Sequence, residues 1–266
     1  MSDEGKNLDA RKRVPPEGHA SACPDPSAQL EPLISAILAR RKEIPPQRAL
    51  LVGISGIDAS GKGLVAAQVA QSLGKGAGGV AAPGYNVAVI GVDGWLNLPH
   101  ARFDRENPAE HFYKHAFRFE EMFGKLVLPL RQHREIDLPM DYTEETATDY
   151  RAHRYQFREI DIILVEGIFL LQRSLRHHFD LTCWVECSFE TALARAIKRC
   201  QEGLPPPETV RAFSTIYFPA QRIHFERDAP QASADLTLPN ENETVAPSTA
   251  VSAAADFASQ ARGPLP

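Results

Sequence analysis

The sequence reads as an α/β protein: a doubly wound, mostly parallel sheet flanked by helices. Three observations lead there. Short apolar runs without polar alternation recur along the middle of the chain, as in strands buried on both faces. Helical patterns separate them, which implies crossovers between parallel strands. A glycine-rich turn follows the first run, and ligands in such folds sit beyond the carboxyl ends of the strands.

Each element has its own signal. EPLISAILARR (31–41) places Leu33, Ile34, Ile37 and Leu38 on one helical stripe, and Pro45-Pro46 ends it. ALLVGIS (49–55) is a short apolar run bounded by glycine, hence a buried strand, and Gly61–Leu73 is a helix. A glycine-rich connection then enters a second buried strand, NVAVIGVD (86–93). Residues 108–133 read as helical, with Phe117, Met122 and Leu126 at helical spacings, and a mixed loop region follows. DIILVEG (161–167) and LTCWVEC (181–187) are the third and fourth runs. Helical patterns occupy 188–202 and 207–227, and ADLTLPN (234–240) is a fifth strand.

Composition narrows the classes. The chain has 266 residues, 43% hydrophobic and 24% charged, which excludes collagen-like, coiled-coil and wholly disordered readings. A net charge of −5 provides no global field for nucleic acid, and no basic stripe with interleaved aromatics stands out. The four cysteines, Cys23, Cys183, Cys187 and Cys200, are too few for a disulfide scaffold and form no Cys-x-x-Cys pair. Cys183 and Cys187 share parity in an apolar run and read as buried strand residues. No segment reaches the roughly 20 apolar residues of a membrane span, and MSDEGKNLDARKR lacks the apolar core of a signal peptide. A cytoplasmic protein without membrane or nucleic-acid partners is expected; a homo-oligomer is compatible with the sequence. Residues 1–30 and 241–266, rich in proline, charge and small residues, are expected to be mobile around a domain at 31–240.

The loop from Gly56 to Lys62 fits G-x-x-x-x-G-K in a strand–loop–helix context. Backbone N–H groups of such a loop turn inward, and the following helix adds its positive end. Gly56, Ile57, Asp58, Ala59, Ser60, Gly61, Lys62, Gly63 and Leu64 are therefore the candidate nucleotide cradle, with Lys62 as a point charge for the β- and γ-phosphates. The motif's Ser or Thr, which holds Mg²⁺, is replaced by Gly63. An ordinary glycine-rich turn is the plain alternative.

Two acids end the neighbouring runs. Asp93, in Gly91-Val92-Asp93-Gly94-Trp95, faces the expected crevice and suits acceptance of a proton from an acceptor hydroxyl. A turn aspartate before glycine is the alternative. Glu166, after Ile163-Leu164-Val165, suits Mg²⁺, directly or through water; the alternative is a solvated strand end. With Gly63 lacking a hydroxyl, more of the metal positioning falls to Glu166 and Asp93. Arg195, Lys198 and Arg199 share a helical face that can close over a transferring phosphoryl group, or simply be solvated. Trp95 either flanks the acceptor or packs in the core. His111 and His115, spaced i, i+4, lack a third metal ligand nearby.

Together GISGIDASGKG (53–63), GVDGW (91–95), ILVEGIFLL (163–171), FETALARAIKR (189–199) and ADLTLPN (234–240) resemble the uridine kinase-like, phosphoribulokinase-like family of phosphate-loop (P-loop) kinases, over roughly residues 48–240. The resemblance implies a P-loop NTPase fold with a mobile lid near 195–210. It also implies transfer of the γ-phosphoryl group of ATP or GTP, with Mg²⁺, to a hydroxyl of a small metabolite, a nucleoside first. Asp93 would be the base, Lys62 the phosphate lysine, Glu166 the metal-side acid, and Arg195, Lys198 and Arg199 the lid cations. Glu106, in Glu106-Asn107-Pro108, stands where nucleoside-specific members carry a ribose-binding acid, and the pair Asp141-Tyr142 where members carry an acceptor-side segment. Met140 replaces an aromatic residue, and Glu202-Gly203-Leu204-Pro205 replaces the lid's Arg-Gly-Arg. These departures bear on uridine specificity more than on phosphoryl transfer. Alternatives are a sugar-phosphate or pantothenate-like acceptor, or a nucleotide-binding regulatory module without transfer.

Overall fold

In the computed structural model, residues 26–74, 84–200 and 203–241 are described. Of the expected mobile stretches 1–30 and 241–266, residues 1–25 and 242–266 lie outside them, as do the glycine-rich connection at 75–83 and residues 201–202, Glu202 of the expected lid among them. Strand β1 (Leu50–Gly56) is buried along its whole length. It pairs in parallel with β5 (Ile162–Gly167) on one side and β6 (Leu181–Glu186) on the other. β2 (Val87–Gly91) adds to β5, and β7 (Leu236–Pro239) adds to β6, giving a five-stranded parallel sheet in the order β2-β5-β1-β6-β7. The winding reverses at β1: the chain moves outward to β2 across β5, then returns across β1 to β6. That reversal opens the crevice beyond the β1 carboxyl end.

Both faces are covered. Leu50, Val52 and Ile54 of β1, with Leu164 and Cys183, pack against α1 (Pro26–Glu43) and α2 (Lys62–Leu73). Leu51, Ile163, Val165 and Trp184 face the opposite layer. That layer holds α3 (Pro99–Arg102), α4 (Pro108–His115), α5 (Phe119–Met122) and α6 (Leu128–His133), then α7 (Phe189–Arg199), α8 (Pro206–Ala212), α9 (Phe218–Asp228) and α10 (Pro230–Ser233). π-turns at Phe123–Val127 and Phe213–Tyr217 join α5 to α6 and α8 to α9. Each precedes a proline, Pro129 or Pro219, whose missing N–H leaves one helical carbonyl without its i+4 donor.

The structure corrects several expectations. Helix α1 starts at Pro26, before the expected boundary, because Leu30 is buried against the sheet beside Leu33 and Ile37. The helix expected over 108–133 breaks after His115. There Asn97 N–H donates to Ala116 O (2.8 Å) and Arg118 N–H to Trp95 O (2.9 Å), so inter-segment bonds replace helical ones. The expected loop after it contains an antiparallel hairpin, β3 (Ile136–Tyr142) and β4 (Arg151–Phe157). Its alternation of Ile136, Leu138, Met140 and Tyr142 with exposed Asp137, Pro139 and Asp141 has period two, and a two-stranded ribbon tolerates Pro139 because it is all edge. Cys183 and Cys187 are both buried, yet in opposite layers, because β6 ends at Glu186 and parity stops there. Glu241, assigned to the tail by composition, accepts hydrogen bonds from Ser188 Oγ (3.3 Å) and Thr191 Oγ1 (2.7 Å) at the start of α7. Among the described residues no helix is long and apolar enough to cross a membrane.

The amino ends of the strands are joined by acids. Asp161, before β5, accepts from Asn86 N–H (2.9 Å) and Arg134 Nη2 (2.6 Å). Asp235, before β7, accepts from Thr182 N–H (2.8 Å) and Oγ1 (2.7 Å). Asp180, before β6, accepts from Leu51 N–H (2.9 Å), from both terminal nitrogens of Arg48 (2.9 and 3.0 Å) and from Arg131 Nη2 (2.6 Å). Burial alone would raise the Asp180 pKa, but Arg48, the Leu51 amide and Arg131 outweigh it and hold the carboxyl below its ordinary value. Asp180→Ala leaves two arginines and a strand amide without their acceptor. It is expected to cost about 2–4 kcal/mol in urea unfolding at pH 7. Because the folded pKa is depressed, that stability is present above the unfolded value near 4 and fades as pH falls through the folded one.

Candidate active site

The loop after β1 is shaped by its backbone. Ser60 N–H donates to Ile57 O (3.1 Å), and Ala59 (φ 56°) and Gly61 (φ 89°) lie in the left-handed region. Gly61 precedes α2, so its amide and those that follow lie at the positive end of a twelve-residue helix. Lys62 curls back, donating from Nζ to Ile57 O at 3.4 Å. Ile57, Ala59 and Ser60 have buried side chains, so their part in any cradle is played by main-chain atoms. Leu64 stands 64% exposed at the rim.

Asp93 does not end β2, as the sequence suggested. The strand stops at Gly91, and Asp93 is the second residue of a 3₁₀ turn, Val92–Trp95. Close contacts at two glycines lock this turn to β5. A Cβ on Gly167 would lie 2.1 Å from Val92 Cγ2, and one on Gly91 would lie 2.9 Å from Glu166 Oε1. At Gly167 only hydrogen leaves room for Val92, and at Gly91 a side chain would displace the Glu166 carboxylate from its place on the crevice side. The hairpin clamps the turn from outside: Thr143 N–H donates to Gly94 O (3.2 Å), and the Tyr142 ring lies where a Gly94 Cβ would sit.

Asp93, Glu166, Lys62 and Arg199 line one cleft of about 290 Å³, together with Asp58, Gly61, Gly63 and Leu64 of the loop. Asp93 is open to the cleft but walled by protein. That desolvation pushes its pKa above 3.8, Lys62 opposes the shift, Asp58 adds to it, and Arg199 opposes it. Glu166 is likewise raised above 4.5 by burial and by Asp93, against Lys62 and Arg199. Two carboxylates whose charge is disfavoured by burial thus share one cleft with a lysine. Among the described residues no group of three His, Cys, Asp or Glu could hold a metal unaided. A donor set of two hard carboxylates suits Mg²⁺ that keeps waters and completes its shell with phosphate oxygens. A Cβ on Gly63 would lie 3.7 Å from both Glu166 oxygens, so the space for the motif's missing hydroxyl is beside that carboxylate.

The remaining candidates separate. Arg199 is exposed into the cleft at the end of α7, and Lys198 is exposed but does not line it. Arg195 turns under the loop, donating to Ser60 O (3.3 Å) and Asn240 O (2.9 Å). Trp95 is fully buried and stacks on Tyr155 at 5.7 Å, so core packing is its role. Glu106 is exposed on a turn whose amides bond Asp104, away from the cleft wall. Asp141 is exposed, its carbonyl accepting from Arg118 Nη2 (2.7 Å), and Tyr142 packs on the turn bearing Asp93. The far wall is formed instead by Leu96, Arg102, Phe112, Phe117, Glu145 and Ile168. Sequence reading missed Arg102, the last residue of the short α3, and Glu145, in a loop; neither belongs to a motif. It also missed Asn240 as a loop contact, although Asn240 closes the last strand motif.

A family model described as the phosphoribulokinase / uridine kinase family matches residues 51–202. A uridine kinase of Macrococcus caseolyticus (strain JCSC5402) is 27% identical over 198 residues, covering 72% of this chain and 88% of that protein. A uridine kinase of Staphylococcus aureus (strain JH9) is 27% identical over 153 residues, 56% of this chain and 67% of its own. The solved "Possible Uridine Kinase from Bacillus stearothermophilus" shares the fold with a TM-score of 0.60 at 21% identity, over 80% of this chain and 98% of that one. So does the "putative fructose transport system kinase from Silicibacter sp. TM1040", with a TM-score of 0.57 at 23% identity over 79% and 98%. The match of the family model over more than half of the chain, on the strand–loop–helix and the two acids just described, makes this protein a member of the phosphoribulokinase / uridine kinase family of P-loop kinases.

Proposed function

We propose that the protein transfers the γ-phosphoryl group of ATP or GTP to a hydroxyl of a small metabolite, a nucleoside first among them, in the cytoplasm. The observation that supports this most is the meeting of Asp93, Glu166, Lys62 and Arg199 in one cleft beside the phosphate loop. In this reading the loop amides and Lys62 hold the phosphates. Asp93 accepts the acceptor's hydroxyl proton as the new oxygen–phosphorus bond forms; the bond to the bridging oxygen breaks, and the nucleoside diphosphate leaves with that electron pair. A raised pKa makes Asp93 a stronger proton acceptor than an ordinary carboxylate. Glu166 and Asp93 would hold Mg²⁺, which neutralises phosphate charge when bound. Arg199 would approach the transferring group as the 195–210 segment closes as a lid, excluding water.

Support for a nucleoside comes from the relatives named uridine kinase and from the far wall. Phe112 and Phe117 line that wall with aromatic rings, which suits a base, while Arg102 is buried and holds the wall together by donating to the Asn97 and Glu145 carbonyls.

ADP release from Mg·ATP across nucleosides, sugar phosphates and pantothenate-like compounds tests the reading. Acceptor-dependent release, lost in Lys62→Ala and Asp93→Asn, is the expected outcome. Nucleotide binding with no acceptor-stimulated release would favour a regulatory module. Asp93→Asn is further expected to raise the melting temperature at pH 8. A folded pKa above the unfolded value makes the charged form destabilising, so the gain grows as pH rises through the folded pKa and vanishes below the unfolded one. An unchanged or lowered melting temperature at pH 8 would show that the Asp93 charge is well satisfied. Gly63→Ser fits without a clash and adds an oxygen beside Glu166; the Mg²⁺ concentration for half-maximal rate is expected to fall roughly threefold or more.

A further inference from the structure

The carbonyl of Ser60, inside the phosphate loop, is held by two donors, one from α7 and one just after β7. Asn240 Nδ2 donates to it at 2.7 Å and Arg195 Nη1 at 3.3 Å. A carbonyl only accepts, so the amide nitrogen of Asn240 must be the end that faces it. Asn240 is itself anchored. Its N–H donates to Glu186 O at the end of β6 (2.8 Å), and its carbonyl accepts from Arg195 Nη2 (2.9 Å). Asn240 also occupies the room that Gly61 leaves: a Cβ on Gly61 would lie 2.4 Å from Asn240 Nδ2. Gly61 is thus required twice, for its left-handed backbone (φ 89°) and for the side chain seated against it.

In a trans peptide the carbonyl and the following N–H point in opposite directions. With the Ser60 carbonyl drawn toward Asn240 and Arg195, the Gly61 N–H faces away from them, into the concave side of the loop. Released, that peptide is free to turn its negative carbonyl toward the cleft. We infer that Asn240 is a positioning residue: with Arg195 it holds the Ser60–Gly61 peptide so that the Gly61 N–H, and not the Ser60 carbonyl, is presented to a nucleotide's phosphates. This rests on the nucleotide-binding reading above, but the clasp itself is a property of the free protein.

The test uses the full chain with Asn240→Ala and Asn240→Asp. Three quantities are measured: hydrogen exchange of peptides covering 56–62 in the free protein, the dissociation constant of Mg·ATP, and the acceptor KM at saturating nucleotide. Asn240→Ala is expected to speed exchange at 56–62 while β1 and β5 keep their protection. It should also weaken Mg·ATP by about tenfold, as for a lost buried hydrogen bond, and leave acceptor KM unchanged. Asn240→Asp, which sets a carboxylate against the carbonyl and near the phosphates, is expected to weaken Mg·ATP further. If Asn240→Ala disturbs the last strand, Arg195→Gln removes the second donor and should shift exchange and affinity the same way. Unchanged exchange and affinity within twofold in the alanine variant, beside a wild type that binds Mg·ATP, would overturn the clasp and leave the nucleotide reading standing. Faster exchange in the variant beside a wild type that does not bind Mg·ATP would overturn the nucleotide reading, and the positioning role with it.

Discussion

Two carboxylates that the fold brings together and does not satisfy are the constraint around which the cleft is built. Asp93 and Glu166 come from neighbouring strand ends, both with raised pKa, and only Lys62 and Arg199 oppose the shift. Acids at the other end of the same sheet behave in the opposite way. Asp161, Asp180 and Asp235 each precede a strand and accept a backbone N–H from the adjacent segment of the sheet, and Asp180 is held well ionised by two arginines. One edge of the sheet thus uses its acids to align strands. The other leaves its acids short of donors, which costs stability and raises their pKa.

The glycines at that edge follow from the same requirement. Val92 packs where a Gly167 side chain would be, and Glu166 where a Gly91 side chain would be. The motifs Gly-Val-Asp-Gly and Val-Glu-Gly are therefore two halves of one contact. The β3–β4 hairpin completes it by pressing Tyr142 and Thr143 onto Gly94. Tyr142, which the resemblance assigns to the acceptor side, thus bears on the turn that carries Asp93.

β1 lies at the centre of the sheet and places its loop between these acids and α7. Lys62 and Arg199 then approach the acids from different elements. Arg195, one turn earlier on α7, points the other way and joins Asn240 beneath the loop. A single helix face therefore divides its cations, one kind toward the crevice and one toward the scaffold of the loop.

Much of this was written in local chemistry. The apolar runs, the glycine-rich loop with its lysine, and acids at the ends of the second and third runs are properties of contiguous residues, so the sheet, the loop and the acid pair could be read directly. Asp93 was misplaced by only a 3₁₀ turn. What could not be read depends on contacts between distant segments. Hydrogen bonds from 95–97 broke the helix expected over 108–133, and the hairpin's weak second strand hid its pairing. Trp95 went to the core because Tyr155 stacks on it, and Glu106 lost the wall to Arg102 and Glu145. Asn240 lies 180 positions from Ser60 and meets it only because β7 pairs beside β6. Periodicity and motif spacing report what a segment is; which side chains share a crevice is decided when strand order brings separate segments within hydrogen-bonding distance.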